Sequence, residues 1–178
     1  VIIAGGKAQR LRPHTEDRPK AMVEVAGLPI IEHQLRWLAE NVVRYVVISL
    51  GHRANILREH VGDVSGFGVR VDYVVEAEPL GRGGSLRIAA SHLADGNAAF
   101  FGLNGDIICR FSLRAMYELH RRLGVSATVA LAAYRSTWGV VELDGDRITG
   151  FVQSPQLPYW INAGVYVLEP EVIERLPE

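Results

Sequence analysis

The feature that most constrains this chain is the regular exchange of two periodicities along its first three quarters. Short apolar, β-branched runs alternate with segments whose apolar residues recur at helical spacing. The runs are Val1 to Ala4, Val42 to Leu50, Val69 to Val75, Ala98 to Leu103 and Ala127 to Ala133. A short extended piece, Val23 to Val25, precedes Gly27 and Pro29, and Pro29 suits a first helical position. Ile31, Leu35 and Leu38 then follow the i, i+4, i+7 pattern of one helix face. Further helices are expected over Arg53 to Val61, over Gly81 to Leu93, and from an N-cap at Ser112 to Leu123. Strands that alternate with helices predict an α/β fold, a Rossmann-like, mostly parallel twisted sheet flanked by helices.

After Tyr134 the pattern changes. Val140 to Leu143 and Arg147 to Val152 flank Asp144-Gly145, a strong hairpin turn. Ala163 to Leu168 returns to a buried strand, and Pro170 opens a last helix. Internal repeats, low-complexity segments and linkers are missing from the 178 residues. We therefore read residues 1–178 as one domain whose β-rich second half forms one wall of a pocket.

The first strand runs into Gly5-Gly6, and basic side chains follow at once. Lys7, Arg10, Arg12, Arg18 and Lys20 bring five positive charges, of which Glu16 and Asp17 offset two. Glycines let a ligand approach the main chain, and free N–H groups in such a turn form an anion-binding hollow. Backbone donors with mobile cations suit a polyphosphate. The plain alternative is a tight turn with a solvated basic face. Two common phosphate loops are excluded: there is no G-x-x-x-x-G-K-[ST], and after Gly6 the next glycine is Gly27, too far for G-x-G-x-x-G.

The basic cluster is local, because the whole chain carries a net charge of −1. That balance argues against a general nucleic-acid or membrane-surface binder. Cys109 is the sole cysteine, so no intrachain disulfide forms, and a reducing, cytoplasmic setting is expected. The six histidines lack ligand spacing and read as structural.

In open α/β sheets, ligands bind beyond the carboxyl ends of the strands. Four stretches fall at such ends: Gly5 to Lys20, Glu76 to Ser85, Asn104 to Asp106, and Gln153 to Gly164. A lone carboxylate such as Asp106 can hold Mg²⁺, whose shell phosphate oxygens and water complete. It can equally stabilise a turn.

These stretches carry a family likeness. Gly5-Gly6-Lys7-Ala8-Gln9-Arg10-Leu11-Arg12-Pro13-His14-Thr15, then Pro19-Lys20, resembles the G-G-x-G-[TE]-R-L-x-P-x-T and P-K signature of the sugar-1-phosphate nucleotidyltransferases (NDP-sugar pyrophosphorylases). Ala8 stands where that family has Gly, and Gln9 where it has Thr, Ser or Glu; an added methyl at position 8 restricts the loop if φ must be positive. Leu103-Asn104-Gly105-Asp106 is similar to the L-x-G-D metal motif, and Glu76 to Leu86 to the E-x-x-P-L-G-T-A-G-A-L stretch beside the nucleobase. Arg82 replaces its usual Thr. Trp138-Gly139-Val140-Val141 resembles Y-G-V-V, and Trp160 to Tyr166 resembles Y-x-x-N-A-G-V-Y, both of which line the sugar. Between them the usual F-x-E-K-P reads Phe151-Val152-Gln153-Ser154-Pro155, with Gln for the sugar-gripping Glu and Ser for the phosphate-binding Lys.

The resemblance implies a GT-A-like nucleotidyltransferase fold that joins a sugar-1-phosphate to a nucleoside triphosphate, giving an NDP-sugar and pyrophosphate. It assigns Arg10, Lys20 and Asp106 to catalysis, with Asp106 also on Mg²⁺. Ala4, Gly5, Gly6, Lys7, Glu76, Pro79, Gly81 and Gly105 would hold the nucleotide. Gly139, Gln153, Asn162 and Gly164 would hold the sugar phosphate. An ionised Glu76 offers acceptors only, which favours guanine with its two adjacent donors. A second metal-binding Asp, from a D-x-G-T string, is expected in a further C-terminal segment. Nucleic acid and membrane are not expected partners, and a homo-oligomer stays open. So do two other readings: nucleotidyl transfer to a non-sugar phosphate, and a nucleotide-sugar-binding module that has lost catalysis.

Overall fold

The computed structural model describes residues 1–6, 8–41, 43–62, 66–93 and 98–176. In chain order the strands are β1 (Ile2–Ile3), β2 (Glu24–Val25), β3 (Leu28–Pro29), β4 (Tyr45–Leu50), β5 (Arg70–Val75), β6 (Phe100–Asn104), β7 (Ala127–Arg135), β8 (Gly139–Asp144), β9 (Arg147–Gln153) and β10 (Gln156–Leu168). The helices are α1 (Ile30–Glu40), α2 (Ala54–Val61), α3 (Gly81–Ala90), α4 (Leu113–Leu123) and α5 (Pro170–Glu174).

Six strands form one sheet in the order β5-β4-β1-β6-β10-β7. β5, β4, β1 and β6 run parallel, as the alternation with helices requires, and β10 is antiparallel to both its neighbours. The register sets Ile3 beside Ser49 on one side and Asn104 on the other. Glu76 directly follows Val75, which pairs with Leu50. The chain therefore leaves β1, β4, β5 and β6 at one edge, and there three of the four candidate stretches meet: Gly5 to Lys20, Glu76 to Ser85 and Asn104 to Asp106.

Each sheet face buries its own apolar cluster. Ile31, Leu35 and Leu38 of α1 pack with Ile48, Leu57, Leu103 and Val165 on one side. Leu86 and Ala89 of α3 pack with Val47, Val74 and Leu168 on the other. Each of the Ile, Leu and Val side chains contributes roughly 1.5–3 kcal/mol relative to exposure. α4 begins as expected, with Ser112 Oγ accepting from Ala115 N at 3.2 Å. Its buried His120 bonds Thr128 Oγ1 at 2.8 Å and Glu169 Oε1 at 3.2 Å, which ties the helix to β7 and to the N-cap of α5.

Three expectations are corrected. Pro29 is not the first helical residue: its ψ of 145° is extended, and it pairs with Glu24 across a turn at Ala26 and Gly27, both at positive φ. The last strand begins at Gln156 rather than Ala163, because its first half is drawn into line by β7. The β-rich second half contributes no lining residue to the cavity described below: among the described residues β8 and β9 pair only with each other, as a separate two-stranded sheet.

Candidate active site

The strand edge encloses a cavity of about 300 Å³. Ala4, Gly5, Gly6, Arg10, Lys20, Glu76, Pro79, Gly81, Gly105 and Asp106 all line it. Ten of the residues named from the sequence are thus brought together; Lys7 lies outside the described residues.

The glycine pair differs from expectation in how it works. Neither Gly5 nor Gly6 has positive φ. A Cβ on Gly5 would stand 2.8 Å from Glu76 Oε1, so its bareness admits that carboxylate rather than a ligand. Beside Gly6 nothing lies within 4 Å of such an atom, and its main chain is open to the cavity. Ala8 does occupy the left-handed region, at φ 45° and ψ 41°, and opens the one-turn 3₁₀ segment Gln9–Leu11 that carries Arg10. Thr15 Oγ1 donates to its carbonyl at 3.0 Å and closes the loop. The Arg10 side chain has no hydrogen bond or ion pair among the described residues.

Lys20 begins a second 3₁₀ turn, Lys20–Met22, whose Ala21 and Met22 are buried. Its Nζ lies 2.5 Å from Asp106 Oδ2, both side chains being about a third exposed. Asp106 follows β6 in a loop clamped from below. Buried Gln34 of α1 donates through Nε2 to the carbonyls of Asn104 at 2.8 Å and Ile107 at 2.9 Å, on either side of Gly105-Asp106. Among the described residues no group of three or more His, Cys, Asp or Glu gathers as a metal cage. One partly exposed carboxylate facing a cavity instead fits Mg²⁺, which binds through one or two carboxylates and substrate phosphates.

Glu76 lines the cavity together with Pro79 and the start of α3 at Gly81, Arg82 and Ser85. Its Oε1 accepts from Ser49 Oγ at 2.6 Å, and its Oε2 from Leu80 N at 3.4 Å. Arg82, set where a small residue was expected, adds a cation to this lining.

The four remaining residues do not border the cavity. Gly139 and Gln153 belong to the β8–β9 hairpin, where they are partners in register and the Phe151 ring covers Gly139. Asn162 spends its side chain on its own strand, donating to Tyr166 Oη at 2.7 Å and accepting from Gly164 N at 2.7 Å. Gly164 comes nearest: at φ 75°, a Cβ there would meet Asn104 Nδ2 at 2.7 Å, and Asn104 does line the cavity. Sequence reasoning missed Ser49 and Gln34. The available signal was the same for both, a polar residue inside an otherwise apolar strand or helix stripe.

At the ends of its parallel strands the sheet thus gathers glycine backbone, three cations (Arg10, Lys20 and Arg82) and two carboxylates (Glu76 and Asp106), an arrangement suited to a phosphorylated ligand. The chain belongs to the nucleotidyl transferase family, whose model it matches over residues 1–178. It is 36% identical to the mannose-1-phosphate guanylyltransferase catalytic subunit beta of Drosophila pseudoobscura pseudoobscura, over 99% of this chain and 49% of that protein. It is 34% identical to the mannose-1-phosphate guanylyltransferase of Mycobacterium tuberculosis, over 100% of this chain and 50% of that protein. It thus spans about half the length of the curated relatives it matches. Among solved structures, HddC from Yersinia pseudotuberculosis complexed with GMP-PN superposes with a TM-score of 0.77 at 27% identity, covering 99% of this chain and 79% of that one. Among the described residues no helix is long and apolar enough to cross a membrane.

Proposed function

We propose that the chain transfers a nucleoside monophosphate, from GTP in preference, to a sugar-1-phosphate, releasing an NDP-sugar and pyrophosphate. The observation that carries this reading is the meeting of Arg10, Lys20 and Asp106 with the glycine edge and Glu76 in one cavity. The names of the relatives support the same chemistry and make mannose-1-phosphate the first acceptor to test.

The sugar phosphate oxygen attacks the α-phosphorus in line, a new P–O bond forms, and the bond to the β-phosphate oxygen breaks. Such a transfer asks for positioning and charge neutralisation. Arg10, unpaired among the described residues, neutralises the leaving pyrophosphate. Lys20 holds the α-phosphate and the incoming phosphate. To do so its ammonium leaves Asp106, which is then available to Mg²⁺. When bound, Mg²⁺ would draw charge from the phosphate oxygens as a Lewis acid, with Asp106 as its ligand from this chain. Glu76 accepts from the N1–H and 2-amine of guanine.

The test is pyrophosphate release from GTP and mannose-1-phosphate. Asp106→Asn should lower turnover by about a hundredfold or more. The melting temperature should barely move, because a partly exposed ion pair adds little stability. Undiminished turnover would remove Asp106 from the mechanism. Nucleotide binding without any turnover, against every sugar phosphate offered, would favour the binding-module reading.

A further inference from the structure

Ser49 is the polar interruption in β4, fully buried between Ile48 and Leu50. Its carbonyl accepts from Ala4 N at 2.8 Å, as the sheet requires. Its hydroxyl is not needed by the sheet. It donates instead to Glu76 Oε1 at 2.6 Å, across 27 residues of sequence. A hydroxyl placed here has a purpose, because burying one without a partner is costly.

The carboxylate it holds is fixed on three sides. Ser49 Oγ approaches Oε1, Leu80 N approaches Oε2 at 3.4 Å, and Gly5 lies beneath, bare enough to admit both oxygens. A carboxylate offers about four lone-pair sites. With one on each oxygen taken by the protein, one on each is left for a ligand in the cavity that Glu76 lines. Two adjacent acceptors match a base edge with two adjacent donors, and a freely turning carboxylate would hold that geometry only part of the time.

We infer that Ser49 is a positioning residue for base selection: it touches no ligand, and it sets the plane in which Glu76 meets the guanine edge. The inference rests on the reading of Glu76 as the base-reading residue. It differs from a packing role in what it predicts, since packing affects all nucleotides alike.

Equilibrium binding of GTP and of ITP, which lacks the 2-amine, separates the possibilities. Calorimetry in Mg²⁺ buffer needs no turnover. Wild type should bind GTP roughly tenfold or more tightly than ITP, the ratio one edge contact typically gives. Ser49→Ala should shrink that ratio to about threefold or less, by weakening GTP more than ITP, which keeps only the N1–H contact to Glu76. Ser49→Cys keeps the volume with a weaker donor; it should do the same and serves if the alanine variant does not fold. Equal weakening of both nucleotides, or an unchanged ratio, overturns the inference. Glu76→Gln assigns the failure. If that variant loses the preference and Ser49→Ala keeps it, Ser49 alone is wrong. If Glu76→Gln also keeps it, or wild type shows none, the reading of Glu76 falls and takes the inference with it.

Discussion

Ala8 combines a left-handed backbone with a side chain that disfavours it. The left-handed region brings Cβ close to the following carbonyl oxygen, at roughly 1–2 kcal/mol for an ordinary residue. The loop tolerates this because Thr15 Oγ1 and Leu11 N both bond the Ala8 carbonyl, each at 3.0 Å. Glycine would relieve the strain at some cost in unfolded-chain entropy. Ala8→Gly should therefore gain about 0.5–1 kcal/mol, read as a higher urea midpoint with unchanged slope. A lower midpoint would mean that the methyl contributes packing that outweighs the strain. The sequence carried half of this finding: alanine in a glycine position was visible, but the sign of φ was not, because it depends on how the chain turns from β1 into Arg10.

At the scale of the element, α1 illustrates what periodicity reveals and what it hides. Ile31, Leu35 and Leu38 mark the buried face, and they are buried. Gln34 lies in the same stripe, 2% exposed, with Nε2 on two carbonyls and Oε1 without a partner among the described residues. Periodicity gives a face, not the partner across it, so the clamp on the Asp106 loop could not be read from spacing. The contact between Ser49 and Glu76 is hidden for the same reason. The first half of β10 was illegible on other grounds: it contains Pro158, and its Tyr159, Trp160 and Ile161 are all exposed, so no buried alternation marks it. Gln34→Leu should strip two carbonyls of their donor and cost about 2–4 kcal/mol, since each buried group left unpaired costs about 1–3 kcal/mol, partly offset by relief of the orphan oxygen. Chemical denaturation measures this. Turnover should fall further than stability explains, because the loop that aims Asp106 loses its brace. A variant as stable as wild type would show that the loop holds itself.

At the scale of the molecule, stability is distributed unevenly. β4, β1 and β6 lie between packed layers, with Val46, Val47, Ile48, Ile2 and Leu103 almost wholly buried. Among the described residues the β8–β9 hairpin has no third strand, and Trp138, Leu143, Ile148 and Phe151 are each more than 60% exposed. A lone hairpin is marginally stable at best in water. The same hairpin carries Gly139 and Gln153, assigned to the sugar phosphate yet away from the cavity. These facts fit if the nucleotide half of the site is built in advance and the sugar half orders when the acceptor arrives. Hydrogen exchange tests this directly. In the free protein, amides of β8 and β9 should exchange on the order of a thousandfold or more faster than those of β4 and β6, a gap set by local against global opening. GTP with Mg²⁺ should protect Gly5, Gly6, Glu76 to Gly81 and Gly105, and leave residues 139–153 unchanged. Adding mannose-1-phosphate with a non-hydrolysable GTP analogue should then slow exchange across residues 139–164. Hairpin amides already as protected as the core in the free protein, or indifferent to the sugar phosphate, would place the acceptor elsewhere and leave Gly139 and Gln153 outside the site.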